Sequence, residues 1–272
     1  LLMSKLKIII NKSYCLTLIA SLFIIDINAQ LSGDPGQIIA VKVEENLKGI
    51  DYAISIEGSL YQLIPLPYSN QGEYIKHEGK SIYINKRDFG ESRISIENTS
   101  LVDLNKEDSD RAFKESKIIK ETLNTYTRNI KPDFNLIKPV EGIISSRYGK
   151  KRFINDKPRS PHLSLDIAAP EGTAVVSPAK GNIILVGNFF YSGNYIVIDH
   201  GYGLLTSYSH LSKVSIEENQ IVEKGQKIGA IGSTGRVTGP HLHWTVYFEK
   251  IRINPELIIQ ENFLKKLLLN QK

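Results

Sequence analysis

The sequence predicts a mainly β protein: a small all-β module in front, one connecting helix, and a compact antiparallel β domain behind. Three observations support this. Short apolar alternations bounded by Gly, Asn, Asp and Ser fill residues 37 to 101, and a stretch without Gly or Pro follows between Asn105 and Arg128. Beyond Pro139 the alternation returns, with glycines recurring at positions 142, 149, 172, 181, 187, 193, 201, 203, 225, 229, 232, 235 and 239. Alternation of period two marks strands, and frequent glycine marks tight turns between them.

Residues 1–29 read as a secretory signal peptide. Lys5, Lys7 and Lys12 precede the apolar run Leu16 to Ile25, and Ala29 stands before Gln30. The run is too short to span a bilayer comfortably, and this order of segments is that of an export signal. Ile27 fits the small-residue cleavage pattern poorly, so an uncleaved leader that tethers the chain to a membrane is the competing expectation. Either way the bulk of the chain is expected outside the cytoplasm. The only cysteine, Cys15, lies in this leader, so a chain starting near Gln30 has no thiol for disulfides, thiolate metal sites or nucleophilic catalysis.

Residues 30–104 form the front module, through the runs "QIIAVKVEE", "DYAISIEG", "YQLIPLPY", "SIYINKRD" and "RISIENTS". Residues 105–131 form the connecting helix, where Ala112, Ile119, Leu123 and Tyr126 recur at helical spacing among Lys and Glu. Residues 136–260 form the second β domain. The tail, 261–272, reads as a short helix without an assigned role.

Charge is uneven. Residues 30–135 carry 14 basic and 17 acidic side chains, while 136–272 carry 17 and 11. The densest basic stretch holds Arg147, Lys150, Lys151, Arg152, Lys157 and Arg159 against Asp156 alone. In an exported chain this points to an acidic polymer of the cell envelope and not to nucleic acid, and a merely solvated face explains it equally well.

Five of the six histidines fall between 162 and 243. Taken as a strand, "SPHLSLDIAAP" turns Leu163, Leu165 and Ile167 to the core and projects His162 and Asp166 together on the other face. "HLHWTVYF" has the same design, with Leu242, Trp244, Val246 and Phe248 inward and His241, His243, Thr245 and Tyr247 outward. Two histidines and a carboxylate from two strands supply the three protein ligands of a catalytic zinc and leave a position open. Spare histidines, one of the 241/243 pair and His210 in "TSYSHLSKV", can serve as base or oxyanion donor. Spacing alone leaves open which of His241 and His243 is the ligand.

Residues 139–255 resemble the catalytic domain of lysostaphin-type (LytM-type) peptidoglycan metallopeptidases. The matching segments are "PVEGIISSRYGKKR", "PHLSLDIAAPEGTAVVSPAKGNI", "GNYIVIDHGYGLLTSYSHLS", "VEKGQKIGAIGSTGRVTGPHLHW" and "INPEL". The resemblance implies that His162, Asp166 and His243 bind Zn2+, one per domain, and that His210 and His241 are catalytic. It implies a zinc endopeptidase that hydrolyses the peptide cross-links of peptidoglycan, on a compact β domain resembling a barrel-sandwich. The front module and helix resemble the front part of exported proteobacterial members, which implies a periplasmic address; residues 38–128 can occlude the groove, bind a regulatory protein or position the chain on the wall, and no residue in them chooses among these. The competing expectation is a non-catalytic relative that activates cell-wall amidases by protein contact, although all five positions are intact. "PEGTAVVSPAKGNI" and "VEKGQKIGAIG" also resemble biotinyl and lipoyl carrier domains, but a biotin carrier needs its lysine between methionines and Met3 is the sole methionine. Two positions depart from the family pattern, Ser164 where Gly is usual and Thr245 where Gly or Glu is usual. His200 in "IDHGYG" reads as structural, and His77 has no evident partner in the sequence.

Overall fold

The computed structural model describes residues 31–43, 52–77, 79–97, 100 and 102–269. The signal peptide expected over 1–29 lies outside them. No helix among the described residues is long and apolar enough to cross a membrane.

The front segment contains β1 (Leu31–Gly33), β2 (Ile38–Lys42), β3 (Ile54–Ile56), β4 (Ser59–Pro65), β5 (Tyr74–His77), β6 (Lys80–Ile84) and β7 (Glu91–Ile94). All five runs read from the sequence carry a strand, and β1 and β5 join them. Ladders run β2–β4–β3 and β1–β6–β5, while β7 pairs in parallel with β9 (Lys151–Ile154) of the second half. Ile39, Val41, Ile64, Leu66, Ile82 and Ile84 close one small core here. The opposite face of β2 turns inward: Ile38 and Ala40 join Ile56 and Leu63 in the same apolar cluster as Trp244. Alternate residues of one strand thus serve two cores, as a pleated strand with both faces covered must.

Helix α1 spans Lys106–Thr122, opened by the Asn105 side chain, which accepts from the Asp108 amide at 2.8 Å, with Glu107 and Asp108 in the first turn. Both devices stabilise a helix start. The helix stops short of the expected 131. Thr127 is instead drawn to the second half, its hydroxyl donating to Asp199 at 2.7 Å and its carbonyl accepting from the Tyr202 amide at 2.7 Å. Those bonds satisfy groups that a longer helix would have used internally. Ile119 and Leu123 pack on Leu185, Phe189, Tyr195 and Val197.

The second half is one large antiparallel sheet. Its spine orders β16 (Ile221–Val222), β13 (Gly181–Phe189), β14 (Gly193–Asp199), β15 (Leu204–Val214), β18 (His241–Phe248), β11 (Leu165–Ala168) and β8 (Ile143–Ser146). Beside it, β12 (Ala174–Val176) pairs with β17 (Lys227–Ile231), β17 pairs with β15, and β19 (Ile251–Ile253) pairs with β18. A separate hairpin joins β9 to β10 (Lys157–Arg159). Leu242, Trp244 and Val246 are fully buried, as their alternation predicted. Two short helices, α2 (Pro255–Ile258) and α3 (Phe263–Leu269), follow, and Phe263 and Leu267 insert into the main core.

One turn anchors the site from below. Gly193 has φ +61°, and a Cβ there would overlap the backbone of Thr234. Thr234 in turn receives the Asn194 amide at 3.0 Å and donates to the Leu211 carbonyl at 2.8 Å. Gly193→Ala should therefore combine backbone strain with a steric conflict and cost more than about 2 kcal/mol, lowering Tm by roughly 4–8 °C. Gly225→Ala, with φ +81° but open space around it, should cost only about 1 kcal/mol. Thermal unfolding followed by circular dichroism compares the two.

Candidate metal centre

The register of the sheet brings the predicted residues together. Asp166 on β11 stands directly opposite His243 on β18, and His243 stands opposite Ser209 on β15, one residue before His210. His162 arrives differently from its sequence reading. It lies in an extended loop before β11 and not in the strand, which starts at Leu165. Pro161 lacks an amide for a ladder, and His162 spends its backbone on the turn before it, donating to Lys150 at 2.8 Å and accepting from Gly149 at 2.6 Å. Leu163, expected inward, is accordingly half-buried on the groove wall.

The imidazole still reaches the carboxylate. His162 Nε2 is 3.0 Å from Asp166 Oδ1 and 3.3 Å from His243 Nδ1, and His243 Nδ1 donates to Asp166 Oδ1 at 2.7 Å. The Arg147 carbonyl, 3.0 Å from His162 Nδ1, can only accept, so it claims that nitrogen's proton and leaves Nε2 as a lone pair. Three acceptor atoms therefore converge with one proton among them. Such a set fits a cation, and His/His/carboxylate with a carbonyl behind one imidazole is a zinc donor pattern.

Electrostatics agree with a deprotonated set. Burial works against the Asp166 carboxylate, but His243 and His162 outweigh it and hold the acid well below its usual range. Burial pushes His243 down to about 4 against the pull of Asp166. His210 is pushed down to about 3, by burial first and then by His243 and His241. Near neutral pH these imidazoles are uncharged and free to use a lone pair.

His210 and His241 flank the trio. Their ring centroids are 5.0 Å apart, and His210 is 5.8 Å from His243. Both have Nδ1 committed to a carbonyl, Thr234 at 2.9 Å for His210 and Gly239 at 2.8 Å for His241. That leaves Nε2 as the working nitrogen of each. His210 also has φ +67°, at an irregularity where β15 shifts register against β14. A non-glycine residue held there carries strain of about 1–3 kcal/mol, a feature that gathers at functional sites.

The site opens into a long groove. Asp166, His210, His241 and His243 line it together with Tyr68 and Ile94 of the front segment. Glu115 and Ile119 of α1 wall it as well. Outside it, His200 is fully buried and bonded at both nitrogens, to the Lys180 carbonyl and the Thr206 hydroxyl, each at 2.8 Å. His77 meets the Gln62 amide nitrogen at 3.0 Å.

Sequence reasoning missed one link. Ser164 and Thr245, the two departures from the family pattern, are buried and share a hydrogen bond of 2.7 Å across the groove floor. Their strand positions hinted at proximity, but the loop geometry of residues 161–164 was needed to place them in contact. Thr245→Val should strand the Ser164 hydroxyl and cost about 1–3 kcal/mol. Adding Ser164→Gly should recover part of that, giving a coupling of about 0.5 kcal/mol or more in a urea-denaturation cycle.

Comparison with known proteins agrees with this geometry. Residues 160–255 match peptidase family M23. The chain is 45% identical over 102 residues, 37% of its length, to the peptidoglycan DD-endopeptidase ShyA of Vibrio cholerae, covering 24% of that protein. It is 39% identical over 125 residues, 46% of its length, to the DD-carboxypeptidase/endopeptidase Mpg of Neisseria meningitidis, covering 29% of it. The chain thus spans only about a quarter of the length of these relatives. The crystal structure of a peptidase M23 chain from Pseudomonas aeruginosa superposes with a TM-score of 0.62 at 27% identity, covering 83% of this chain and 94% of that one. Motif order, fold and matched segment coincide, and the chain carries a domain of peptidase family M23.

Proposed function

We propose that this protein is a zinc-dependent endopeptidase that hydrolyses peptide cross-links of peptidoglycan outside the cytoplasm, in the periplasm. The observation that carries the reading is the convergence of His162 Nε2, Asp166 Oδ1 and His243 Nδ1 in a groove, with two further histidines alongside. The names of the relatives support the substrate, since ShyA is a peptidoglycan DD-endopeptidase.

His162, Asp166 and His243 would hold the ion. When bound, zinc supplies Lewis acidity toward a scissile carbonyl and eases loss of a proton from water. The chain's own residues do the rest. His241, half-buried at the groove wall, has its Nδ1 proton tied to Gly239 and presents Nε2 as proton acceptor. A partly solvated imidazole can carry the resulting positive charge at lower cost than a buried one, so His241 is assigned as the general base. His210, buried and held neutral, orients the reacting group through Nε2 and stays neutral while doing so. The apolar layer beneath, Leu242 and Trp244, is fully buried and anchors the strand that carries His241 and His243.

Purified peptidoglycan incubated with zinc-loaded protein should be cleaved, and a chelator should abolish the cleavage; absent or chelator-insensitive activity sinks the proposal. His243→Ala should lose both zinc and activity, whereas His241→Ala should retain one zinc per chain and lose turnover by roughly 10²–10⁴-fold. Metal analysis of the two purified variants separates the roles, and equal zinc content in both would refute the division.

A further inference from the structure

Helix α1 carries a carboxylate inside its apolar stripe. Ala112, Glu115, Ile119 and Leu123 fall on one helical face, and Ile119 and Leu123 pack on Phe189 and Tyr195. The Glu115 side chain is only 16% exposed there. Its Oε1 takes Arg111 of the same helix at 2.7 Å, whereas its Oε2 leaves the helix and accepts the Phe190 amide at 2.6 Å. A bond from an amide to a carboxylate is of the strong, charge-assisted kind. A surface ion pair alone would not require this position, since carboxylates are seldom placed where burial is this deep without a partner to serve.

Phe190 opens the turn of residues 190–192, which joins β13 to β14, and this turn holds His210 from two sides. The Ser192 carbonyl accepts the His210 amide at 2.8 Å, which fixes the backbone. The Tyr191 carbonyl accepts the Arg236 amide at 3.0 Å, and a Cβ on Gly235 would overlap the Tyr191 carbonyl and the Gly193 amide. Residues 190–193 and 234–236 therefore lie backbone against backbone. From the second of these segments the Thr234 carbonyl, 2.9 Å from His210 Nδ1, takes the ring proton. Main chain and imidazole of His210 thus both refer to one short turn. At φ +67° His210 occupies a conformation that persists only where its surroundings over-determine it.

We propose that Glu115 is a positioning residue, which fixes the turn of residues 190–192 from helix α1 and thereby holds His210 in its working orientation beside the metal ligands. This deepens the proposed function and rests on the role assigned there to His210. It gives the helix a part in the reaction without any contact to the reacting atoms. Misplacing a reacting group by about 1 Å can lower a rate roughly 10²-fold, and Glu115 acts through one intervening turn, so its loss should lower turnover about tenfold.

The test compares Glu115→Ala, Glu115→Gln and Glu121→Ala in the full zinc-loaded chain. Glutamine keeps an oxygen that can accept the Phe190 amide, while Glu121 pairs with Lys117 at 3.9 Å on the same helix and controls for loss of helix stability. On a soluble cross-linked peptidoglycan fragment, Glu115→Ala should lower kcat about tenfold with KM within about twofold and zinc content unchanged. Glu115→Gln should stay within about threefold of the wild type, and Glu121→Ala should match it. Histidine labelled with 13C at Cε1 gives a second readout, one resonance for each of the six histidines. The His210 signal, assigned by its loss in His210→Gln, should shift in Glu115→Ala, and that of His200, bonded elsewhere to Lys180 and Thr206, should stay. With an active wild type, an unchanged kcat in Glu115→Ala, an equal loss in Glu121→Ala or no recovery with glutamine would overturn the proposal, as would an unmoved His210 signal. A wild type that cleaves nothing would sink the peptidase reading instead, and the resonance shift would then decide the positioning by itself.

Discussion

The candidate site depends on one constraint, the antiparallel register of β11, β18 and β15 over a dry apolar layer. Asp166 faces His243 because Leu165 faces Trp244 and Ile167 faces Leu242, all four of these apolar side chains being fully buried. Side chains alternate with period two, so a slip of one residue would turn the imidazoles into the core and the indole into solvent. Burial of Trp244 and its neighbours, each contributing about 1.5–3 kcal/mol, forbids that slip. The hydrophobic pattern therefore sets the chemistry on the opposite face.

On this frame, backbone carbonyls set the state of the rings. Arg147, Thr234 and Gly239 each take the Nδ1 proton of one imidazole, of His162, His210 and His241 respectively. A carbonyl cannot donate, so the tautomer is not free to change, and every Nε2 is kept as a lone pair. Two of the three carbonyls lie in the loop between β17 and β18. Thr234 is held against Gly193, so a glycine on the neighbouring strand β14 helps to orient His210.

The front segment is part of the same construction. Ile38, Ala40, Ile56 and Leu63 share a core with Trp244, and Tyr68, Ile94 and Glu115 border the groove. Glu115 binds the Phe190 amide at 2.6 Å and Arg111 at 2.7 Å, so helix and groove wall are coupled through a single carboxylate. The groove is therefore walled by both halves of the chain.

By itself the sequence indicated most of the strands, the start of the helix near Asn105 and the five candidate residues, the first two from local periodicity and the last from the resemblance of its motifs. The alternation in "HLHWTVYF" is local physics, and its inward and outward faces are legible without a partner strand. Only the tertiary structure decided that His162 reaches Asp166 from a loop, that the helix ends at Thr122, and that Ser164 meets Thr245. The helix end and the Ser164–Thr245 contact depend on the hydrogen bonds that distant segments offer, Thr245 standing 81 residues from Ser164, and a linear pattern carries no information about such a partner.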